Sequence, residues 1–120
     1  MSGLIRKSLD TPDETRPFEG GTGQLEVVNS DGGAVGRATF QPGWKWSEHV
    51  GPVVGAARCS LEHAGMVVSG VATVEFEDGR VIELTPGNLF YVPPVPHDSW
   101  VVGDEPYVSI HLQGAQHYTK

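Results

Sequence analysis

The sequence predicts an all-β protein, an antiparallel barrel of the jelly-roll kind, and three observations carry that expectation. The 120 residues hold 16 glycines and 9 prolines, which punctuate the chain every few residues and leave little room for a long helix. Between them lie short runs rich in Val, Phe, Tyr and Trp, the residues that fit a pleated surface. So many short strands must pair or close on themselves, because bare edges invite aggregation, and a jelly roll answers that need.

Residues 1–23 are polar and carry Pro12, Pro17, Gly20, Gly21 and Gly23. They read as an arm with one short strand near Leu4, leaving 24–120 as a single barrel domain. The strands expected in order are Gln24–Asn29, Gly36–Gln41, Trp44–Val50, Arg58–Glu62 continuing into Met66–Ser69, Ala72–Glu77, Arg80–Leu84, Leu89–Val92, Ser99–Val102 and Tyr107–Gln113. Ser30-Asp31-Gly32-Gly33 marks a turn between the first two. The clearest hairpin is Val71–Leu84. Val74 and Phe76 alternate there with Glu75 and Glu77, which makes one face apolar. Asp78-Gly79 predicts a tight two-residue turn at its tip. Thr85-Pro86-Gly87-Asn88 suits a type II turn, with proline presetting φ and glycine taking the positive φ at the third position. Pro93, Pro94 and Pro96 exclude a central strand and make a rigid loop into His97.

Composition narrows the function. Eight Lys and Arg stand against 15 Asp and Glu, a formal net charge of −7. Phosphate backbones and anionic lipid surfaces repel such a chain, so neither nucleic acid nor membrane is an expected partner. No apolar run approaches the roughly 20 residues of a membrane helix. The stretch MSGLIRKSLD is basic without a long apolar segment, so no secretory leader is expected and the cytoplasm is the expected location. The single cysteine, Cys59, permits no internal disulfide and fits a reducing compartment.

The chemistry-bearing residues are five histidines: His49, His63, His97, His111 and His117. Neutral imidazole is a common metal ligand at physiological pH. Three rings from separate strands can hold one divalent ion and leave positions open. No local spacing such as HxxxH or CxxC supports this, so residue type alone allows hydrogen-bonded core or surface histidines equally. His111 stands on the less apolar face of the last strand, directed inward or merely covering it, and His117 lies in a polar tail. Cys59 either lines a cavity, binds metal as thiolate or packs as a small hydrophobe, the commonest fate of a single buried cysteine. Trp44 and Trp46 share a predicted strand face, and Trp100 follows His97. They wall a pocket or fill the barrel and a subunit interface. Tyr91 is a candidate proton donor.

Two stretches resemble the paired motifs of the cupin superfamily. In PGWKWSEHV, Gly43 is followed by five residues and His49; in EHAGMVVSG, His63 is followed by six residues and Gly70. In PGNLFYVPPVPH, Gly87 is followed by five residues and Pro93, and His97 closes the motif. His63 stands where the family usually has its glutamate. The usual histidine pair is broken: Gly51 takes the second place if His49 is the first member, and Ser47 takes the first if His49 is the second. A GPVVGAA loop lengthens the connection to His63, His97 comes one residue early, Val95 replaces a glycine, and Val101 replaces an asparagine.

The resemblance implies a cupin jelly roll holding one divalent transition metal (Fe, Zn, Mn, Ni or Cu) on His49, His63 and His97, without a carboxylate ligand. Three neutral imidazoles leave the ion its full charge to polarise a bound water or substrate. Glu48 and Glu62 neighbour two of these ligands but point to the opposite strand face. The activity implied is that of a metal-dependent enzyme on a small organic molecule: an oxygenase, lyase, isomerase or cyclase. The alternatives are a non-catalytic small-ligand or metal-sensing module and a metal-free barrel. The family's habit of pairing barrels, with the N-terminal arm and the tryptophans, implies a homodimer.

Overall fold

The computed structural model describes residues 6–30 and 33–113, built on nine strands with three short helical turns. The strands are β1 (Glu14–Pro17), β2 (Gly23–Ser30), β3 (Gly33–Phe40), β4 (His63–Ser69), β5 (Val71–Phe76), β6 (Val81–Leu84), β7 (Leu89–Val92), β8 (His97–Val102) and β9 (Tyr107–Gln113). Two α-helical turns, α1 (Trp46–His49) and α2 (Gly51–Val54), sit between β3 and β4. All strand pairs are antiparallel. They form a six-stranded sheet in the order β1-β2-β3-β9-β4-β7 and a three-stranded sheet in the order β6-β5-β8.

Most of the expected strands stand within a residue or two of their sequence-based bounds, and the departures have physical causes. The expected strand Trp44–Val50 is replaced. Lys45 makes a lone bridge to Trp100 and the chain then turns helical. The buried carboxylate of Asp98 on β8 takes the backbone N–H of Ser47 at 3.0 Å and its hydroxyl at 2.7 Å. A distant aspartate thus satisfies an amide at the start of α1, the task an N-cap residue usually performs locally. Pro52 then suits the first turn of α2. The expected strand Arg58–Glu62 contributes only the isolated bridge of Cys59 to His97, and pairing resumes at His63.

The β5–β6 hairpin turns in three residues rather than two. Phe76 and Arg80 are paired, the N–H of Gly79 donates to the Phe76 carbonyl, and Gly79 has φ of 98°. That is a type I turn closed by a left-handed glycine, the common three-residue hairpin. Thr85–Asn88 forms the expected turn, with Gly87 at φ 91° and the Asn88 N–H on the Thr85 carbonyl. Within the arm, Glu14–Pro17 adds an edge strand against β2, while the strand expected near Leu4 lies outside the described residues.

The core lies between the two sheets. Leu25, Val27, Ala38, Phe40 and Val67 point inward from the large sheet, and Ala72, Val74 and Phe76 from the small one. Phe18, Phe40 and Trp44 stack at one end, with ring centroids 5.2 Å apart for Phe18–Phe40 and 4.4 Å for Phe40–Trp44. Fully burying such side chains contributes about 1.5–3 kcal/mol each. β6 pairs only with β5 and β7 only with β4, so these two strands leave a seam between the sheets that packing, not hydrogen bonding, must fill.

Candidate metal centre

Three strands deliver histidines to the interior. His63 opens β4, His97 opens β8 and His111 lies on β9; all three are buried. His111 has a glycine opposite it on each side, Gly36 on β3 and Gly65 on β4. Neither partner carries a side chain to compete with the imidazole. A Cβ on Gly65 would come within 2.0 Å of the Ile110 carbonyl oxygen and 3.0 Å of the Phe90 ring.

The rings gather around His63. Its centroid is 5.6 Å from His97 and 5.9 Å from His111, edge-on to both. Cys59 joins them from the other side. Its backbone exchanges both N–H···O bonds with His97, each 2.9 Å, and its Sγ lies 3.5 Å from His63 Nε2. Cys59, His63 and His97 each offer one ligand atom, and those atoms all lie within 4.8 Å of one another. Sequence reasoning weighed Cys59 mainly as a packed hydrophobe. Its partner in the fold is set by the bridge to His97, which no local spacing reveals.

The donor set suits a metal. In a tetrahedral site with bonds of about 2.0–2.3 Å, neighbouring donors stand about 3.3–3.8 Å apart. The Cys59–His63 pair already has that separation. His97 Nδ1 is 2.9 Å from the Val95 carbonyl oxygen. A carbonyl only accepts, so the ring proton sits on Nδ1 and the Nε2 lone pair is left for a ligand. Burial pushes the pKa of His63 down to about 3, helped by His111 and His97, and that of His111 down to about 4. Burial also lowers His97, against the Val95 carbonyl, which favours its charged form. All three are therefore neutral near pH 7, the protonation state a metal requires. Burial pushes the Cys59 thiol up, so an ion there must displace its proton.

A cavity of about 50 Å³ opens beside the histidines, and His63, His97, His111, Trp44, Tyr107 and Ser109 are among its walls. Cys59 is not one of the lining residues, so it stands as a donor behind the two histidines. Among the described residues, no Asp, Glu, Lys or Arg lines the cavity. His111 Nε2 is 2.9 Å from the Ser109 hydroxyl. Burial pushes the Tyr107 phenol up to about 12, keeping it protonated. The Trp44 indole Nε1 is buried and has no hydrogen-bond partner among the described residues. A buried donor left so costs about 1–3 kcal/mol.

The other candidates from the sequence sit elsewhere. His49 closes α1, half-buried, with Nδ1 taking the Lys45 backbone N–H at 3.0 Å; it is not in the converging group. Trp46 is buried beside Gly51, and Trp100 lies under the Lys45 ammonium, 5.1 Å from ring centroid to Nζ; neither lines the cavity. Tyr91 is exposed, donates its hydroxyl to Glu62, and is absent from the cavity wall. His117 lies outside the described residues.

A sequence model of the cupin domain matches residues 36–112. Among solved structures, a sugar phosphate isomerase from a cupin superfamily, from Silicibacter pomeroyi, superimposes with a TM-score of 0.63 at 17% identity, covering 89% of this chain and 73% of that one. A protein of unknown function from an Acinetobacter species gives 0.59 at 15% identity, over 82% and 88% of the two chains. Another of unknown function from Rhizobium leguminosarum gives 0.59 at 14% identity, over 92% and 95%. At these identities the likeness is one of fold. No curated protein matches the chain.

Proposed function

The chain belongs to the cupin-domain family, and from that premise we propose that it is a metal-dependent enzyme acting on a small organic molecule bound beside His63 and His97. One observation carries the reading: two buried histidines in the wall of a cavity converge with a buried cysteine from a separate segment. Three protein donors leave a tetrahedral ion one open position, the arrangement of catalytic rather than structural sites. His63 and His97 would hold the ion with Cys59 behind them, and a bound divalent ion would supply Lewis acidity toward a substrate oxygen.

The chain's own groups do the rest. Val95 fixes the His97 tautomer. Tyr107, protonated over the whole physiological range, offers a hydroxyl to a substrate acceptor. The walls are mostly apolar, which strengthens each polar contact made against them. His49 entered as a ligand by its motif position, and its hydrogen bond to Lys45 speaks for a helix-end role instead.

Metal stoichiometry by elemental analysis, on protein purified without a histidine tag, tests this across single alanine variants. His63→Ala, His97→Ala and Cys59→Ala are expected to lose most of the bound ion, and His49→Ala to keep it. Retention of full metal by the first three variants would remove the reading. Iron in the purified protein would point to oxygen chemistry, and zinc to lyase or cyclase chemistry.

A further inference from the structure

A second hollow of about 210 Å³ lies in the seam between β6 and β7. Phe76, Ile82, Leu89 and Tyr91 line it, and it shares Val74, Leu84, Phe90 and Val92 with the histidine cavity. The two spaces therefore meet across the same four side chains. The outer hollow reaches solvent, because Ile82 is 47% exposed and Leu89 76%. Among the described residues, neither space has a charged side chain in its lining.

We infer that the seam is the seat of the substrate's apolar body, and that the substrate is a small molecule with one ring or branched carbon skeleton and a single oxygen head group. Only the placement of the head beside the histidines rests on the function proposed above. Three features define the class. An apolar cavity of about 150 Å³ admits benzene, so this hollow takes a ring with a short substituent. The inner cavity has room for a hydroxyl or carbonyl with a water or two and no more, since a water needs roughly 10–15 Å³. Among the described residues no carboxylate, ammonium or guanidinium lines the space for that head, and Tyr107 and Ser109 bring hydroxyls to it. A phosphorylated sugar finds no cation in either lining and would lose the hydration of its hydroxyls to hydrocarbon walls.

The leading edges of β6 and β7 set the mouth. Ile82 lies opposite Val74 on the inner face of the small sheet. Leu89 lies opposite Met66 across the large sheet. Ile82 and Leu89 both line the hollow and are both exposed, which is costly in water and favourable against an apolar guest.

Methyl NMR on the whole chain tests the inference, with benzyl alcohol as probe and glucose 6-phosphate as the contrasting ligand, in metal-free and zinc-loaded samples. Benzyl alcohol is expected to shift the methyl signals of Val74, Leu84 and Val92 saturably in both samples, while glucose 6-phosphate leaves them in place. Ile82→Glu and Leu89→Glu alter exposed positions, so both should fold, and each is expected to weaken the probe about fivefold or more. Absence of a saturable shift, equal binding by both variants, or binding of glucose 6-phosphate at these methyls would overturn the inference. So would shifts of the same methyls on raising protein concentration alone, which would make a second copy the occupant. Probe binding without zinc uptake would sink the metal reading and leave the seam standing; zinc uptake without probe binding would do the reverse.

Discussion

His63 and His111 are held neutral by burial, and this ties the stability of the metal-free fold to pH. Their folded pKa values, about 3 and about 4, lie below the ordinary histidine value of 6.5. Below pH 6.5 the unfolded chain therefore binds protons that the folded chain refuses. Their contribution is complete above about pH 6.5 and is lost as pH falls toward 4 and then 3. Each group removes about 1.4 kcal/mol per pH unit inside its window. The urea midpoint of metal-free protein is expected to fall steeply between pH 6.5 and 4, and a flat midpoint there would contradict the burial of these rings. The inward histidines also show what was legible residue by residue. His63 and His97 stood out because motif glycines and a proline-rich loop flank them. Cys59 and His111 did not, because their neighbours in the site are set by a lone bridge and by cross-strand glycines, and both depend on register.

Register and capping dominate the behaviour of the elements. Gly65 has the Ile110 carbonyl oxygen in the place its Cβ would take, so Gly65→Ala must push β4 away from β9 and crowd Phe90. A loss of about 2 kcal/mol or more is expected in chemical denaturation, in the range of overpacked cores. Asp98 takes three hydrogen bonds, two from Ser47 and one from the Ser99 N–H, at a buried position. Asp98→Ala is expected to cost about 3 kcal/mol and to unravel α1, detectable as faster exchange of the α1 amides. Unchanged exchange would show that α1 holds without this link. The same contact explains why Trp44–Val50 read as a strand. Trp44 and Trp46 alternate as a strand would, and the carboxylate that favours a helix start is 51 positions away in the chain. The turns were better served, since Thr85–Asn88 carries its whole code locally.

Seen whole, the molecule presents an apolar outer face on its larger sheet. Met66 stands between Leu89 on β7 and Ile110 on β9, and Val68 and Leu112 extend the patch; Met66, Val68, Leu89 and Leu112 are all substantially exposed. The Arg37–Glu26 ion pair borders it on β3 and β2. A chain of net charge −7 associates with its own copy most easily through such an uncharged surface. The expected homodimer therefore has a face to use, though not Trp44 and Trp46, which are buried. Light scattering at micromolar concentration is expected to give twice the chain mass, and Met66→Lys to return it to the monomer. A monomeric parent protein would rule this face out as a self-interface. The jelly-roll architecture was readable from strand density and turn chemistry, because those signals are local and repeat along the chain. The order of strands within the two sheets was not, since it depends on partners far apart in sequence.

The paired backbones of Cys59 and His97 have one more consequence. Two of the three residues proposed as donors are joined by main-chain bonds made when the chain folds, so their backbone spacing owes nothing to an ion. The ordering entropy that a flexible site spends on capture is spent here in advance. Ion uptake should therefore proceed without a folding phase, at a rate governed by passage to the buried donors and by departure of the thiol proton.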